Sequence, residues 1–390
     1  MAEKKKIIIV CGETSGDTHA GQLAGNIIKL NPEVEILAVG GHHLKESGAT
    51  LFYDIKELSV LGFFDVIKKL PLFFRLRTII LERIKLFKPD LIILVDFSGF
   101  NLRLAKAINK QIPVIYYISP QVWASREGRV KTIKEYISKM IVFFKFEEEF
   151  YRKHGFIVDF VGHPLLDFVA PTMSKNEFLS GNRLSTSKTT IALLPGSREN
   201  EIKRILPVML KTAKLLSKKI KEIQFIIAKP PGLDWEVYNK ELKNIDLDIK
   251  IIEDKTYDCL NSADFCLVAS GTATLETAIL QKPCAVIYKM GLLNYLLYRP
   301  QVKVAFISLV NILSKKEIIP EFVQFKALPQ KISEEALKIL LDPAESTRMK
   351  NDLSQIRSLL GEKGASLRAA QIVVDFLNKS HQDTTSPVTG

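Results

Sequence analysis

The segment FCLVASGTATLETAIL, residues 265–280, has the pattern of a buried strand, a glycine turn and the start of a helix. At such a junction several backbone N–H groups lack helical partners and lie at the positive end of the helix dipole, which suits a phosphate or pyrophosphate. Gly271 permits close approach of the anion, and Glu276, about one turn into the helix, is placed to accept hydroxyls of an attached ribose. The alternative is an ordinary capped helix, with Ser270 or Thr272 as the N-cap.

The same alternation of apolar runs and helical patterns continues on both sides of this segment. Strand-like runs are predicted at residues 190–194, 223–228, 249–252 and 284–288. The first of them ends in Pro195-Gly196-Ser197-Arg198, a second glycine turn before a helix. We expect its arginine to point toward the same ligand crevice as the turn at Gly271. Two such turns in one domain favour an anion site more than either turn does alone.

The first half of the chain shows the same alternation. Residues 7–11 form a continuous apolar run, followed by GETSGD at residues 12–17, a Rossmann-like beginning without the GxGxxG spacing of dinucleotide-binding proteins. A further run at residues 91–95 places Asp96 at its carboxyl end, where acidic groups of open α/β sheets face the ligand crevice. We therefore predict an α/β protein with two Rossmann-like, doubly wound parallel-sheet domains that face a cleft.

The domain boundaries follow from chain length and from the loss of periodicity. A chain of 390 residues is longer than a domain with a single hydrophobic core usually is. Residues 169–188 lose the periodic pattern and collect proline, serine, asparagine and glycine, which predicts a linker between domains at 1–168 and 189–360. A last helix is predicted at 361–378, and the polar segment 379–390 is predicted to be disordered.

The net charge indicates the class of partner, and the cysteines and apolar stretches indicate the compartment. The net charge of +12 indicates an anionic partner, which is nucleic acid, an acidic membrane or a phosphorylated substrate. The four cysteines form no CxxC pair and mostly lie in or beside strand-like runs, so we expect buried thiols in a reducing compartment. No apolar stretch approaches the roughly 20 residues needed to cross a bilayer, and no signal peptide is evident, so we predict a cytoplasmic protein.

Metal-binding motifs are weak in this sequence. Its only Asp-x-Asp triplet, Asp246-Leu247-Asp248, lies in a charged turn before a strand, and the adjacent His42 and His43 lack the spacing of a ligand set. We predict neither a metal ion nor another cofactor.

Residues 62–88 combine large apolar side chains with a dense basic population. Such a mixture favours an interfacial helix on anionic lipid, whereas the alternative is a pair of helices that cover the sheet with their basic residues in solvent. The side chains that we assign to the membrane and acceptor side are Phe63, Ile67, Leu70, Phe73, Phe74 and Arg75.

A tryptophan surrounded by basic residues follows the strand-like run at residues 114–118. Trp123 is close in sequence to Arg126, Arg129 and Lys131. This combination suits a sugar platform with phosphate contacts, and the alternative is the start of an amphipathic helix.

Six motifs occur in the order found in one known family. They are GETSGD at 12–17, Asp96 with Phe100-Asn101, SPQVWA at 119–124, Gly162-His163-Pro164, LPGSR at 194–198, and SGTA at 270–273 with Glu276. They extend over nearly the whole chain, which thereby resembles the lipid-A-disaccharide synthases. The resemblance implies the glycosyltransferase B (GT-B) architecture, with the nucleotide sugar bound by the second domain and the acceptor by the first.

The resemblance also implies a reaction and its location. Members of the family join UDP-2,3-diacylglucosamine to 2,3-diacylglucosamine 1-phosphate and release UDP in the lipid A pathway. The implied partners are UDP-diacylglucosamine, acylated glucosamine 1-phosphate and an anionic membrane surface, without nucleic acid. We expect peripheral attachment to the inner face of the cytoplasmic membrane, and the sequence does not determine the oligomeric state.

By the same resemblance Asp96 is the preferred general base for the acceptor hydroxyl, and Glu13 is the second candidate. Trp123 and Arg126 would face the acceptor. The pyrophosphate would be held by Arg198 and the turn Ser270-Gly271-Thr272, and the ribose by Glu276. The full set of donor positions is Ser197, Arg198, Ser270, Gly271, Thr272, Ala273, Glu276, Asn311, Glu317 and Gln324. Helix N-termini together with an arginine can stabilise departing UDP without a metal ion.

Two other functions stay open from the sequence alone. A UDP-N-acetylglucosamine 2-epimerase has the same architecture but would not need residues 62–88. A non-enzymatic binder of nucleic acid or membrane accounts for the net charge of +12, yet it leaves the two glycine turns and Asp96 unexplained.

Overall fold

The chain divides into two compact units, each built around one parallel sheet. The computed structural model describes residues 4–59, 70–243, 245–292, 295–296, 299–301 and 304–382. The first unit comprises Met1–Asp167 and Leu360–Gly390, and the second comprises Phe168–Leu359. The α/β fold class predicted from the alternating pattern is confirmed in both units.

The sheet of the first unit has seven parallel strands. They are β1 (Lys6–Val10), β2 (Glu35–Gly40), β3 (Thr50–Asp54), β4 (Leu91–Val95), β5 (Val114–Tyr117), β6 (Lys139–Val142) and β7 (Asp159–Phe160). Their order in the sheet is β3-β2-β1-β4-β5-β6-β7. The winding direction reverses between β1 and β4, and in open α/β sheets ligands bind at the carboxyl ends of the strands at such a reversal.

Helices cover this sheet because each carries an apolar stripe. The helices before the second unit are α1 (Thr14–Leu30), α2 (His42–Glu46), α3 (Lys56–Ser59), α4 (Leu70–Phe87), α5 (Ser98–Ile108), α6 (Arg129–Tyr136), α7 (Lys145–Lys153) and α8 (Leu165–Phe168). In α1, for example, Ala20, Leu23, Ala24 and Ile27 are fully buried. Their spacing is that of one helix face.

Asp17 connects α1 to the loop that follows β2. Its buried carboxylate accepts hydrogen bonds from the backbone N–H groups of Gly41 at 2.6 Å, His43 at 2.9 Å and Leu44 at 3.3 Å. These groups lie at the beginning of α2, where N–H groups have no helical partner. The last acidic residue of the GETSGD motif therefore has a structural role that its position in the sequence did not reveal.

The sheet of the second unit has six parallel strands. They are β8 (Thr189–Leu194), β9 (Ile223–Lys229), β10 (Ile249–Glu253), β11 (Phe265–Ala269), β12 (Cys284–Tyr288) and β13 (Glu321–Val323). Their order is β10-β9-β8-β11-β12-β13, so β8 and β11 are neighbours.

The helices of the second unit begin, in two important cases, directly after a glycine turn. They are α9 (Lys175–Gly181), α10 (Glu199–Ser217), α11 (Trp235–Leu242), α12 (Thr256–Ser262), α13 (Thr272–Ile279), α14 (Leu309–Ser314), α15 (Pro329–Leu341) and α16 (Pro343–Leu359). Helix α10 follows the turn after β8, and α13 follows the turn after β11.

The segment expected to be a linker, residues 169–188, is packed into the second unit. Its helix α9 packs against α12. At the base of α9 the carboxylate of Asp258 accepts hydrogen bonds from the Thr172 backbone N–H at 2.7 Å and from the Thr172 hydroxyl at 2.8 Å. Polar composition predicted a connection between domains, and these long-range hydrogen bonds tie the segment to the second unit.

The chain ends in helix α17 (Ala365–Gln382), which packs on α1 of the first unit. Arg368 holds it there, since its guanidinium donates to the Val161 carbonyl at 2.9 and 2.6 Å. The helix continues four residues beyond the predicted end at 378, into the segment 379–390 that was expected to be disordered. The remainder of that segment, 383–390, lies outside the described residues.

All four cysteines are buried free thiols, as predicted from their positions in apolar runs. Cys11 follows β1, Cys259 lies in α12, and Cys266 and Cys284 lie in β11 and β12. Burial raises the pKa of the Cys284 thiol to about 12, so it stays protonated and unreactive at neutral pH.

Asp17 offers a test of what holds the first unit together. The Asp17→Ala variant leaves three backbone N–H groups without their acceptor. We expect the free energy of unfolding of this unit to fall by about 2–4 kcal/mol, measured by urea denaturation. Asp375→Ala, on the exposed face of α17, is the matched control and is expected to stay within about 0.5 kcal/mol of wild type. Equal stability of the two variants would contradict this role of Asp17.

Candidate active site

Asp96 lies at the carboxyl end of β4 in an unusual backbone conformation. Both Asp96 and Phe97 have a φ of +47°, the left-handed region that non-glycine residues seldom adopt. The Asp96 N–H donates to the Tyr117 carbonyl at 3.0 Å. Its own carbonyl accepts from the Tyr116 hydroxyl at 2.5 Å and from the Asn101 amide at 2.9 Å. The surroundings therefore impose the strained conformation, as is common at functional sites.

Two carboxyl groups interact at this edge of the sheet. Burial raises the pKa of the Asp96 carboxyl to about 6, the charge of Glu13 adds to the increase, and a hydrogen bond from the Phe97 backbone opposes it. Glu13 is exposed and is the N-cap residue of α1, in the loop after β1. Because β1 and β4 are neighbouring parallel strands, the two acidic side chains come to the same edge. A carboxyl with a raised pKa is well matched to proton transfer near neutral pH.

An aromatic cluster supports the loop that carries Asp96. The Phe97 ring centroid lies 5.4 Å from that of Phe100 and 5.8 Å from that of Phe73. Gly12 fits against the same ring, since a Cβ at this position would lie 2.3 Å from a Phe97 carbon. Phe73, predicted for the membrane side, thus has protein contacts within the first unit.

The predicted membrane segment is described only in part. Phe63 and Ile67 lie outside the described residues, and Leu70 begins α4. Among the described residues, no helix has the length and apolar character needed to span a bilayer.

Helix α4 presents exposed aromatic and basic groups. The Phe74 side chain is 56% exposed, which is high for a large apolar residue. The Arg77 guanidinium lies 5.4 Å from the centre of its ring, and Arg75 is also exposed. The described part of the segment therefore combines an exposed phenylalanine with two cations.

Trp123 is held by a buried carboxyl group that the sequence did not single out. Its indole N–H donates to Glu147 Oε1 at 3.2 Å, and the ring of Phe146 meets it edge-on at 5.0 Å. Burial raises the pKa of Glu147 to about 7, although hydrogen bonds from Phe144 and Trp123 oppose the shift. The visible signal in the sequence was only a glutamate in the first turn of a helix, which is common at helix starts.

Arg126 and Arg129 lie near the loop after Asp96. Arg126 is exposed and has a φ of +58°. Arg129 is half-buried, and its Nη1 donates to Ser98 Oγ at 3.2 Å. Ser98 begins α5 and is two residues beyond Asp96, so this hydrogen bond anchors Arg129 to the loop of Asp96.

His163 is buried and has a positioning contact. Its Nδ1 accepts a hydrogen bond from the Leu165 backbone N–H at 3.2 Å, and its ring lies among Phe143 and Phe144. Burial, and then the nearby His19, lower its pKa to about 3. The imidazole is therefore neutral, and its hydrogen bond to Leu165 orients the loop.

In the second unit, the turn after β8 already binds a carboxylate. Gly196 has a φ of +121°, and a Cβ there would lie 2.5 Å from Glu201 Oε2. Glu201 accepts from the Ser197 backbone N–H at 3.2 Å and from the Arg198 guanidinium at 3.3 Å. The Arg198 side chain is 71% exposed. This turn thus presents groups that bind anions.

The turn after β11 lies beside it, because β8 and β11 are paired in parallel. Gly271 has a φ of +152° and open space where a side chain would be. Thr272 begins α13 and is exposed, as is Gly271, and Ala273 is half-buried. The Ser270 hydroxyl donates to the Ile307 carbonyl at 3.2 Å.

Glu276 lies one turn into α13. Burial raises the pKa of its carboxyl to about 7. Its charge also contributes to the raised pKa of Tyr257, which places these two side chains close together. A half-buried carboxyl at this position can accept hydrogen bonds from hydroxyl groups.

Asn311 and Gln324 make their hydrogen bonds within the unit. The Asn311 amide donates to the Ile319 carbonyl and to Glu321, both at 2.8 Å, and accepts from the Ile318 and Ile319 N–H groups. Gln324 binds the backbone N–H and carbonyl of Met290, both at 3.1 Å. Both side chains shape loops at the sheet.

Glu317 has a different environment from the Asn311 and Gln324 side chains. It is exposed and lines an open pocket with Lys331, Glu335 and Arg348. Neither glycine turn contributes to the lining of that pocket.

The described part of the chain contains no group of three or more His, Cys, Asp or Glu side chains able to hold a metal ion. Asp248, in the Asp-x-Asp triplet, forms an ion pair with Lys188 at 2.8 Å.

Comparison with known proteins identifies the family. A family model described as lipid-A-disaccharide synthetase matches residues 7–376. The chain belongs to this family. The lipid-A-disaccharide synthase of Syntrophus aciditrophicus (strain SB) is 42% identical over 378 residues, which cover 96% of this chain and 99% of that relative.

Solved structures outside the lipid-A-disaccharide synthetase family share the fold. A UDP-GlcNAc 2-epimerase from Neisseria meningitidis, bound to UDP-GlcNAc, superposes with a TM-score of 0.63 at 15% identity, covering 96% of this chain and 100% of that chain. The calicheamicin glycosyltransferase CalG4 has a TM-score of 0.60 at 15% identity, covering 99% and 100%. These likenesses show the GT-B fold, so the epimerase hypothesis rests on architecture alone.

The contact between Trp123 and Glu147 can be tested by fluorescence. In a Trp235→Phe background Trp123 is the remaining tryptophan. As pH rises through about 7, Glu147 ionises and accepts a stronger hydrogen bond from the indole, so we expect the emission to titrate with that midpoint. Glu147→Gln should abolish the titration, and the exposed Glu149→Gln on the same helix should preserve it. Persistence of the titration in Glu147→Gln would rule out this carboxyl as its source.

Proposed function

We propose that this chain is an inverting glycosyltransferase that joins UDP-2,3-diacylglucosamine to 2,3-diacylglucosamine 1-phosphate, forming lipid A disaccharide 1-phosphate and UDP. The observation that carries the proposal is the Asp96 carboxyl, whose pKa is raised to about 6. It lies at the carboxyl end of β4 in a chain that matches the family over residues 7–376. Carboxyl groups with raised pKa values concentrate at catalytic sites, which favours an enzyme over a binder.

In the proposed mechanism the first unit activates the acceptor. Asp96 removes the proton from the 6-hydroxyl as that oxygen attacks the anomeric carbon of the donor sugar from the face opposite UDP. One general base is sufficient for inversion and contributes roughly 10²- to 10⁴-fold to the rate. The neighbouring charge of Glu13 raises the pKa of Asp96 and so strengthens it as a base.

The second unit binds the donor and stabilises the leaving group. The backbone N–H groups of the paired turns and the exposed Arg198 guanidinium face the pyrophosphate, with Ser197, Ser270, Gly271, Thr272 and Ala273 forming the turns. The two helix starts carry partial positive charge that compensates the charge developing on UDP. Glu276 accepts the ribose hydroxyls, while Asn311 and Gln324 support the loops around the donor.

The acylated substrates account for the surface of α4. Phe74, Arg75 and Arg77 combine an exposed aromatic ring with two cations, and this combination favours the interface of an anionic membrane. We place the protein on the inner face of the cytoplasmic membrane, where a peripheral enzyme reaches lipid substrates.

Asp96→Asn tests the catalytic base. We expect kcat to fall by about 10²- to 10⁴-fold because the amide cannot accept the proton. In the wild type, kcat/KM should fall about tenfold per pH unit below pH 6, since protonated Asp96 is inactive as a base. The disaccharide product is measured by mass spectrometry, which also separates it from a C2 epimer of the donor.

Calorimetric titration with UDP provides the control for that loss. Asp96→Asn should bind UDP as the wild type does, whereas Glu276→Gln should weaken binding by about tenfold. Full turnover by Asp96→Asn would remove it as the base, and formation of an epimer without a disaccharide would overturn the proposed reaction.

Phe74 tests the membrane contact of α4. Phe74→Ser removes the exposed ring and should lower recovery with vesicles of phosphatidylglycerol by about threefold at moderate salt. The half-exposed Trp235→Ser, in the second unit, is the matched control. If both variants sediment with vesicles as the wild type does, Phe74 has no role in membrane binding.

A further inference from the structure

Three arginines converge beside the loop that carries Asp96. Arg103 lies on α5, Arg129 is the first residue of α6, and Arg126 precedes α6 by one helical turn. Helices α5 and α6 pack against each other. Arg129 is held in this group by the bond from its Nη1 to Ser98 Oγ at 3.2 Å.

The charges of the three side chains act on one another. Burial lowers the pKa of the Arg129 guanidinium, and the charges of Arg126 and Arg103 lower it further. Within the part of the chain that the structure describes, none of the three forms an ion pair with a carboxylate. The bond to Ser98 goes to a neutral hydroxyl. Like charges that repel without a counter-ion are stabilised when an anion binds between them.

The group lies next to the proposed base. Ser98 is two residues beyond Asp96, and the Tyr116 hydroxyl donates to the Asp96 carbonyl at 2.5 Å. Burial and the charge of Asp96 raise the pKa of Tyr116, and the nearby charge of Arg129 opposes that shift. Arg129 is therefore close to both Tyr116 and the loop of Asp96.

The backbone also indicates a position under constraint. Arg126 adopts a φ of +58°, a conformation that costs a non-glycine residue free energy. No hydrogen bond of its guanidinium is described, and the side chain is exposed. An exposed guanidinium thus lies near the half-buried guanidinium of Arg129, whose pKa it lowers.

We propose that Arg103, Arg126 and Arg129 form a subsite for the phosphate monoester on the anomeric carbon of the acceptor sugar. This inference rests on the proposed function. A phosphate in this subsite fixes the C1 side of the sugar ring, and this orients the 6-hydroxyl, which is carried on C5 across the ring oxygen, toward Asp96. The subsite would make the enzyme select phosphorylated acceptors over the corresponding free sugar.

Binding energy from a group remote from the reacting oxygen can be used to orient the substrate. Guanidinium groups suit a phosphate because their planar donors form paired, charge-assisted hydrogen bonds. Arg129→Lys retains the positive charge but loses the paired hydrogen-bond donors, so this variant should retain part of the selectivity.

The experiment compares two acceptors, 2,3-diacylglucosamine 1-phosphate and 2,3-diacylglucosamine, in neutral detergent micelles without phospholipid. For each enzyme the ratio of kcat/KM for the two acceptors is measured. We expect Arg103→Gln, Arg126→Gln and Arg129→Gln each to lower this ratio by roughly 10- to 100-fold, with Arg129→Lys intermediate. Arg183→Gln is the matched control, since Arg183 is also exposed and has a φ of +56°.

The outcomes separate the inference from the proposed function. If the wild type makes no disaccharide from either acceptor, the proposed function fails first. If the wild type is active and the three variants keep the wild-type ratio of the two acceptors, whether or not their activity falls, the proposed phosphate subsite is wrong.

A lipid headgroup is the other source of phosphate that such a group binds. Sedimentation with phosphatidylglycerol vesicles distinguishes it, because a headgroup site predicts reduced recovery of the three variants with an unchanged acceptor ratio. That result would overturn the acceptor subsite. Unchanged recovery with a lowered ratio supports it.

Discussion

Parallel pairing of every neighbouring strand is the constraint on which both candidate sites depend. Parallel strands end at the same edge of their sheet, so loops after neighbouring strands lie side by side. In the first unit, the pairing of β1 with β4 brings Glu13 and Asp96 together. In the second, the pairing of β8 with β11 aligns the turns of Gly196 and Gly271.

Burial at these sheet edges raises the pKa values of three acidic side chains. Asp96, Glu147 and Glu276 have pKa values raised to about 6, 7 and 7, in each case mainly because burial disfavours the charged form. Each of them would be fully ionised in water at neutral pH. The raised pKa of Asp96 also lowers the stability of the folded protein as pH rises from the ordinary carboxyl pKa to about 6, because the unfolded chain loses this proton first. The same cost at Glu147 is offset in part by its bonds to Trp123 and Phe144.

Local patterns predicted the strands and turns, whereas the contacts of single side chains depend on the folded chain. The strands and the glycine turns follow from apolar runs and from glycine positions, and the α/β fold is confirmed. Asn311 and Gln324 were assigned to the donor site from family resemblance, and the fold adds that their amides form hydrogen bonds to nearby backbone. Phe73 was assigned to the membrane side from the mixture of apolar and basic residues at 62–88, and in the fold its ring packs on Phe97. Such contacts join distant parts of the chain, and spacing along the sequence does not encode them.

The sequence by itself determined most strands of both sheets, the two glycine turns, the position of Asp96 at a strand end and the family. These are local properties, because hydrophobic periodicity and turn residues act over a few neighbouring positions. Only the tertiary structure decided that Asp17 holds the start of α2, that Glu147 binds Trp123 and that Arg103 approaches Arg129. It also decided the pKa of each buried carboxyl, since burial and the distances between charges are set by the folded chain as a whole.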